Sequence, residues 1–263
     1  MSEKAEDVLL LSREGAVAII TLNRPSKLNA LSKAMMTGFP KVIEELRRDD
    51  EVKAVIVTGA GDAFCAGDDL EEAAQGIVPM DDRRGGLTGR LGWETAIAFR
   101  EFEKPIIAAI NGVAVGGGAS IALACDIRLA SDKARIGMVW INIGLLPDCG
   151  ASYFLPRLIG VSRACDLMFT GRIVTSAEAV AMGLVDRVVP HDQLMTEALE
   201  LAKLIAAKSP VAMELTKRAI YNGIAQDLPS QLDFETQAQR ICLSTEDFQE
   251  AVRSFLEKRK TKN

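Results

Sequence analysis

Two glycine-containing turns offer the clearest chemistry in this sequence. In each, an apolar segment of strand-like composition leads into a turn and then into a helix-like segment; the turns lie at residues 59–67 and 111–118. The second turn holds three consecutive glycines, at positions 116–118, ahead of a helix of small residues. Uncovered N–H groups at a helix N-terminus, aided by the helix dipole, can bind a negatively charged oxygen. Glycines at such a turn also permit close packing, so composition alone leaves both interpretations open.

Nucleotide-binding loops are disfavoured at the first turn. It begins G-x-G at Gly59 and Gly61, but Phe64 stands where the dinucleotide fingerprint requires its third glycine. No acidic residue ends a strand about 20 residues later, as that fingerprint also requires. The Walker phosphate-binding pattern is absent from the sequence. A nicotinamide-dependent oxidoreductase is therefore a weak alternative.

Asp148 is a carboxylate with apolar neighbours in the sequence, among them Trp140, Ile141 and Leu145. It lies in the segment LPDCG, residues 146–150, ahead of a helix-like segment. A carboxylate in such a place can move a proton to or from a substrate carbon, but an aspartate there is also a common helix N-cap. Both roles stay open. The single histidine, His191, follows Pro190 and is predicted to be an exposed turn residue, which disfavours serine–histidine catalysis.

Composition excludes several classes of protein. The chain has 263 residues, 48% of them apolar and 25% charged, with a formal net charge of −5. This charge argues against a nucleic-acid partner, and five scattered cysteines with one histidine argue against a disulfide framework and a metal site. The longest apolar run, residues 105–124, is interrupted by Asn111 and four glycines, so no membrane span is expected. We predict a soluble, cytoplasmic protein.

The elements that must position these residues alternate between strands and helices. Short apolar runs predict strands at residues 8–11, 17–22, 52–58, 105–110 and 126–130. Ser32 is predicted to start a helix that ends near Arg48. The alternation continues to residue 189 and predicts an α/β fold with parallel strands.

Two regions depart from this alternation. Residues 76–92 lack any periodicity and predict a loop that could act as a lid. After residue 190 the apolar residues follow a helical spacing to the end of the chain. We therefore predict an α/β core over residues 1–195 and a helical region over residues 196–263.

The two turns and several further segments resemble the crotonase (enoyl-CoA hydratase/isomerase) superfamily. The likeness covers essentially the whole chain. It is carried by residues 22–25 (LNRP), 29–31 (NAL), 64–70 (FCAGDDL), 104–105 (KP), 111–112 (NG), 116–118 (GGG), 125–126 (CD), 144–145 (GL), 156–160 (PRLIG), 177–190 and 255–259 (FLEKR). The resemblance implies a crotonase-type spiral of ββα turns, followed by a C-terminal helical region for oligomerisation.

The resemblance also implies a substrate and a site. The substrate would be an acyl-CoA thioester; no separate cofactor is expected, since coenzyme A is part of the substrate. The chain would self-associate as a homotrimer or hexamer. The backbone N–H groups of Asp68 and Gly117 would hold the thioester oxygen. The expected substrate-binding residues are Lys27, Leu28, Ala30, Ala66, Leu70, Gly116 and Trp140, together with Phe255 and Lys258 from a neighbouring subunit.

Asp68 departs from the family, in which a small neutral residue is usual at this position. A carboxylate facing the thioester oxygen would oppose the negative charge that the N–H groups are meant to stabilise. The side chain of Asp68 is therefore expected to point away from that oxygen.

The acidic residues favour one reaction of the family. Its hydratases use two glutamates, and the corresponding positions here hold Ser120 and Trp140. Asp148 resembles the aspartate with which other members shift double bonds. The expected reaction is conversion of 3-enoyl-CoA to 2-enoyl-CoA, with Asp148 as the proton shuttle.

Several alternatives stay open. One is a hydratase or hydrolase that uses Asp148 alone or an acid at Glu71 or Glu72. Another is a catalytically silent acyl-CoA-binding subunit. Trp140 and Asp148 also resemble residues of aryl-CoA dehalogenases, but the histidine of those enzymes would fall near Trp93, where the sequence has none.

Overall fold

The computed structural model describes residues 4–75 and 89–260 of the chain. Its strands are β1 (Leu9–Glu14), β2 (Val17–Leu22), β3 (Ala54–Gly59), β4 (Ala63–Cys65), β5 (Ile106–Ile110), β6 (Val113–Val115), β7 (Ile127–Ser131), β8 (Arg135–Gly137), β9 (Ile173–Thr175) and β10 (Arg187–Val189). Its helices are α1 (Ala5–Val8), α2 (Lys33–Arg48), α3 (Leu70–Ala74), α4 (Gly89–Glu101), α5 (Gly117–Ala124), α6 (Ala151–Ile159), α7 (Val161–Thr170), α8 (Ser176–Met182), α9 (Leu194–Ala206), α10 (Pro210–Gly223), α11 (Leu228–Leu243) and α12 (Glu246–Lys260). The predicted lid, residues 76–92, lies outside the described residues except for its end, which begins α4.

Two largely parallel sheets form the frame of the molecule. The larger has the order β1-β2-β3-β5-β7-β10, in which β1 and β2 form an antiparallel hairpin and the later pairs are parallel. The smaller has the order β4-β6-β8-β9, with β8 and β9 antiparallel. All of β5, and β3 up to Thr58, is buried, as is typical of parallel strands covered on both faces. The predicted α/β fold with parallel strands is confirmed.

A repeated ββα turn connects the sheets. β3 is followed by β4 and α3, β5 by β6 and α5, and β7 by β8 and later α6. The chain crosses between the sheets at close range: a Cβ added to Gly59 would lie 2.1 Å from the carbonyl oxygen of Ala63, and one added to Gly112 would lie 1.9 Å from that of Asp62. Because glycine alone lacks this atom, it alone permits so close a backbone approach. The spiral of ββα turns is the architecture that the resemblance implied.

Two segments predicted as loops contain short strands. β4 lies within residues 61–67 and β6 within residues 111–118, and the two pair in parallel, with Ala63 opposite Val113. Each strand has three residues, which is too short for an alternating pattern to be recognised. The loop prediction was therefore wrong at these places, and the pairing itself brings the two glycine turns together.

Local sequence signals explain where α2 begins and where β1 turns into β2. Ser32 caps α2, because its Oγ accepts a hydrogen bond from the backbone N–H of Met35 at 3.3 Å, which satisfies one of the free donors of the first turn. Gly15 turns the β1–β2 hairpin with φ of +60°, a value that glycine adopts without strain.

The C-terminal helices are attached to the core. α9 buries Leu194, Ala198 and Ala202 against the larger sheet, so the boundary predicted between residues 195 and 196 lies inside a helix that packs on the core. α10 is joined to the core by Lys217, whose Nζ donates to Oδ2 of Asp126 at 2.7 Å. The division into two regions stays a prediction. None of the helices among the described residues is long and apolar enough to cross a bilayer.

Candidate active site

The two glycine turns pack directly against each other. A Cβ added to Gly67 would lie 3.0 Å from the carbonyl oxygen of Val115 and 3.5 Å from the amide nitrogen of Gly117. One added to Gly118 would lie 2.3 Å from the carbonyl oxygen of Cys65. The backbone after β4 and the first turn of α5 are therefore in contact at positions where a side chain would force them apart.

Asp68 is paired with Leu31, but its own N–H faces away from Leu31. The N–H of Leu31 donates to the carbonyl of Gly67 at 2.7 Å, and the N–H of Asp69 donates to the carbonyl of Leu31 at 3.1 Å. These two bonds flank Asp68 in a parallel bridge. In a parallel bridge the flanked residue turns its own N–H and C=O to the other side. The N–H of Asp68 thus points away from Leu31.

Gly117 is the first residue of α5, so its N–H has no partner within the helix. Gly116 precedes it with φ of +54° and ψ of −133°, a backbone conformation that favours glycine. The N–H of Gly116 donates to the carbonyl of Gly137 at 3.1 Å, and the carbonyl of Gly116 accepts from the N–H of Ser120. The turn is held on both sides of Gly117, whose own N–H lies in the first turn of α5, where no helix carbonyl can accept from it.

A buried ion pair braces the turn that carries Asp68. A guanidinium nitrogen of Arg24 lies 2.8 Å from a carboxylate oxygen of Asp69, and the other carboxylate oxygen accepts from the N–H groups of Glu71 and Glu72 at the start of α3. Burial opposes ionisation of Asp69, but the Glu72 N–H and the Arg24 guanidinium outweigh it and lower the pKa of Asp69. The arrangement fixes the backbone beside the Asp68 amide.

Two asparagines tie the same region together. Nδ2 of Asn29 donates to the carbonyls of Ala60 and Ala63, at 2.9 and 2.7 Å. Oδ1 of Asn111 accepts from the N–H of Gly59 at 3.2 Å. The predictions from sequence assigned no role to Arg24 or to these asparagines. The sequence signal for such a role is a polar residue within an apolar or glycine-rich motif. A polar group buried there requires hydrogen-bond partners, and these tie segments together.

Asp148 is held by Ser120 and Trp140, for which the resemblance implied correspondence with the hydratase glutamates. Nε1 of Trp140 donates to Oδ1 of Asp148 at 3.0 Å, and Oγ of Ser120 donates to the backbone carbonyl of Asp148 at 3.0 Å. Ser120 lies in the first turn of α5, three positions after Gly117. The N-cap of α6 is Gly150 rather than Asp148. Asp148 is thereby connected to the start of α5, where Gly117 lies.

The carboxyl group of Asp68 lies beside Gly117. Its Oδ1 would be 3.2 Å from a Cβ added to Gly117, and within the described part of the chain this buried oxygen has no hydrogen-bond partner. This side chain, which is expected from the sequence to point away from the thioester oxygen, packs beside Gly117. Burial, and next the negative charge of Asp148, raise the pKa of Asp68 to about 7. The raised pKa means that the carboxyl group stays neutral over a wider pH range than an exposed aspartate does, which lowers the cost of burying it.

Asp68→Asn is expected to change how stability depends on pH. Folding raises the pKa of Asp68 from its ordinary value of 3.8 to about 7, so between these pH values the native state binds more protons than the unfolded state. The contribution of Asp68 to the free energy of unfolding therefore falls as the pH rises through this interval and stays constant above it. Because asparagine does not titrate, the variant lacks this fall. The thermal midpoint of the variant, relative to wild type, should be higher near pH 8 than near pH 4; equal differences at both pH values would contradict a buried, titrating Asp68.

The residues expected along coenzyme A lie on two paired segments, residues 27–30 and 66–70, which include the Asp68 turn. The N–H of Ala66 donates to the carbonyl of Leu28 at 2.9 Å, and the N–H of Ala30 donates to that of Lys27 at 3.0 Å. Leu28 and Leu70 are exposed. Lys27 forms an ion pair with Glu71 at 2.5 Å, and the resulting hydrogen bond raises the pKa of Lys27.

The other candidate residues lie on α12 and α3. Phe255 and Lys258 are on α12, where the Phe255 side chain is exposed. Glu72, considered as an alternative acid, accepts a hydrogen bond from the N–H of Lys33 at 2.8 Å. Glu71 pairs with Lys27, so each of the two glutamates has a partner on the segment between β2 and α2 or at the start of α2.

Comparison with known proteins agrees with this geometry. The family described as enoyl-CoA hydratase/isomerase matches residues 12–263. The chain belongs to this family. It therefore has the crotonase-type fold, and its ββα spiral is the family's architecture.

Several relatives illustrate the range of the family. The chain is 42% identical, over 96% of its length and 95% of the relative, to a short-chain-enoyl-CoA hydratase of Clostridium acetobutylicum. Among solved structures it is similar to an enoyl-CoA hydratase from Bacillus anthracis, with a TM-score of 0.89 and 37% identity over 95% of this chain and 96% of the other. It is also similar to a monofunctional enoyl-CoA isomerase from M. smegmatis, with a TM-score of 0.74 and 37% identity over 86% and 98% of the two chains. The protein is an enzyme of the enoyl-CoA hydratase/isomerase family.

Proposed function

We propose that this member of the family converts 3-enoyl-CoA to 2-enoyl-CoA, with Asp148 as the proton shuttle. The observation that carries the proposal is the position of Asp148: the side chains of Trp140 and Ser120 hold it at the start of α5. These are the two positions at which the family's hydratases carry glutamates. A double-bond shift needs a single base, whereas hydration by the family's usual route needs two carboxylates.

The chemistry is a proton transfer in two steps. The Asp148 carboxylate removes a proton from C2 of the 3-enoyl thioester, and the electron pair delocalises over the double bond and the carbonyl to give a dienolate. The N–H groups of Asp68 and Gly117 stabilise the negative charge on the thioester oxygen. Asp148 then returns the proton to C4. Such preorganised donors typically lower the barrier by about 3–4 kcal/mol each. No electrons leave the substrate, so the reaction requires no cofactor beyond the coenzyme A moiety.

The binding of the rest of the substrate follows the same proposal. Coenzyme A would lie along Lys27, Leu28, Ala30, Ala66 and Leu70, which the fold brings together beside the Asp68 turn. Gly116 and Trp140 would border the acyl chain. The exposed apolar residues of the last two helices, among them Phe248, Phe255 and Leu256, support self-association as a homotrimer or hexamer, in which Phe255 and Lys258 would reach a neighbouring active site.

A hydratase is the second candidate, and one observation favours it. Asp68 provides a second carboxyl group whose charge is coupled to that of Asp148, so two acids are available even without the family's glutamates. The first relatives described above are named hydratases, which is a statement about those proteins. In this alternative Asp148 would activate water and protonated Asp68 would deliver the proton to the substrate.

Offering both substrates to the wild-type protein separates the candidates. With 3-enoyl-CoA we expect the absorbance of the conjugated thioester to rise, and with 2-enoyl-CoA we expect no comparable fall. Loss of the conjugated absorbance from 2-enoyl-CoA at a rate exceeding the isomerisation would favour the hydratase and contradict the proposal. Binding of both esters without turnover would identify an acyl-CoA-binding subunit.

A further inference from the structure

The side chain of Asp68 is the feature that the proposed mechanism leaves unexplained. Its Oδ1 is buried and, among residues 4–75 and 89–260, forms no hydrogen bond. Buried polar atoms in proteins nearly always form a hydrogen bond, so a buried carboxyl oxygen without one requires an explanation. The atom lies at the start of α5, 3.2 Å from the position of a Cβ on Gly117. It is therefore next to the amide proposed to hold the substrate oxygen.

The groups around Asp68 favour its neutral form. Asp148, from the turn before α6, contributes a negative charge. Asp69, on the same turn, is negative but engaged by Arg24. Cys65, on β4, is a neutral thiol because burial raises its pKa to about 12, and Leu31 and Gly117 contribute no charge. Within the described residues no cation forms a salt bridge with Asp68, so no attraction offsets the burial.

A neutral carboxyl group carries an O–H that needs an acceptor. The side chain starts from the same residue whose N–H points away from Leu31, and its Oδ1 lies 3.2 Å from the position of a Cβ on Gly117. An oxygen bound by both amides would therefore be held close to this carboxyl group and could accept its hydrogen bond. Filling the site with an acyl group also displaces water, which further disfavours the charged form of a buried acid.

We propose that the carboxyl group of Asp68 is a third hydrogen-bond donor to the thioester oxygen, acting in its protonated form beside the amides of Asp68 and Gly117. This inference rests on the proposed use of those amides as the oxyanion site. The hydrogen bond strengthens as negative charge builds on the oxygen, so it favours the enolate over the neutral ester. When Asp68 ionises, the donor is lost and a repelling charge takes its place. The affinity of the site for the enolate therefore depends on pH.

The experiment measures binding of an enolate without requiring turnover. Acetoacetyl-CoA supplies the enolate, and its dissociation constant is determined for wild type and for Asp68→Asn across the pH range on both sides of the pKa of about 7. Taking the ratio of the two constants at each pH cancels the ionisation of the ligand. We expect the ratio to be near unity at acidic pH, because both side chains then donate. Above the pKa the wild type should bind more weakly, with the ratio rising about tenfold per pH unit.

Two further variants distinguish a donor from a charge that merely repels. Asp68→Ala keeps the backbone amide but has no side-chain donor, so at acidic pH it should bind the enolate about tenfold more weakly than Asp68→Asn, as expected for a lost hydrogen bond to a charged group. Asp62→Asn removes an exposed aspartate of the preceding turn and should follow the wild type at every pH. Equal affinities of the alanine and asparagine variants at acidic pH, or a ratio that does not change with pH, would overturn the proposal.

A neutral ligand keeps this result separate from the proposed function. Butyryl-CoA has the thioester oxygen but no enolate charge, so its dissociation constant should differ among the four proteins, and with pH, by much less than that of acetoacetyl-CoA. If butyryl-CoA binds as expected while the acetoacetyl-CoA ratio stays flat, the role of Asp68 is refuted and the acyl-CoA site stands. If butyryl-CoA does not bind to the wild type, the acyl-CoA site itself is refuted.

Discussion

Asp148→Asn is expected to lower kcat for the conversion of 3-enoyl-CoA to 2-enoyl-CoA by about 10²–10⁴-fold, the range typical of a lost general acid–base group. The amide retains the size of the carboxylate and an oxygen that can accept the hydrogen bond from Nε1 of Trp140, but it cannot take up a proton at C2. The thermal midpoint and the dissociation constant of butyryl-CoA should change little. Stopped-flow measurement of the conjugated absorbance provides kcat.

Two variants serve as comparisons for this prediction. Trp140→Phe keeps an aromatic ring but removes the donor to Asp148, so it should lower kcat by only about tenfold, as expected for one hydrogen bond to a charged group. Asp233→Asn changes an exposed aspartate on α11 and should leave kcat unchanged. Wild-type turnover by Asp148→Asn would show that the base is another residue, and the proposed mechanism would then be wrong.

The second large effect is expected from Gly118→Ala. The added Cβ would lie 2.3 Å from the carbonyl oxygen and 2.6 Å from the Cβ of Cys65. Because one of these neighbours is backbone, the strand β4 and the start of α5 must separate. Separation moves the amide of Gly117 relative to that of Asp68, and losing one donor of an oxyanion site typically costs about 10²–10³-fold in kcat. Overpacking of the contact should also lower the free energy of unfolding by about 1–3 kcal/mol.

Gly223→Ala is the matched control, since its Cβ would make an ordinary contact of 3.4 Å with the side chain of Gln231. It should alter neither kcat nor the thermal midpoint appreciably. Steady-state kinetics on 3-enoyl-CoA and thermal unfolding of both variants check the prediction. A Gly118→Ala protein that is less stable but turns over at the wild-type rate would mean that the contact between the turns is structural and that the amides do not hold the reacting oxygen.

Asp68 shows that residue type alone does not fix the charge of a side chain. From the sequence, a carboxylate beside an oxyanion site is expected to oppose the charge that builds there, so the side chain is expected to point away from the oxygen. In the structure it faces Gly117, and burial raises its pKa to about 7. Charge in a protein depends on the surroundings of a group as well as on its type, and those surroundings come from segments far apart in the chain.

Residue type and spacing determined much of this protein. Buried apolar runs predicted the parallel strands, Ser32 predicted the start of α2, and the glycines at 116–118 predicted the start of α5, because strand burial, helix caps and glycine turns are set by neighbouring residues. The motifs also identified the family. Only the tertiary structure decided the pairing of β4 with β6, the bonds of Asp148 to Trp140 and Ser120 and the direction of the Asp68 side chain. These depend on contacts between segments distant in the chain, and packing, which no local pattern records, selects them.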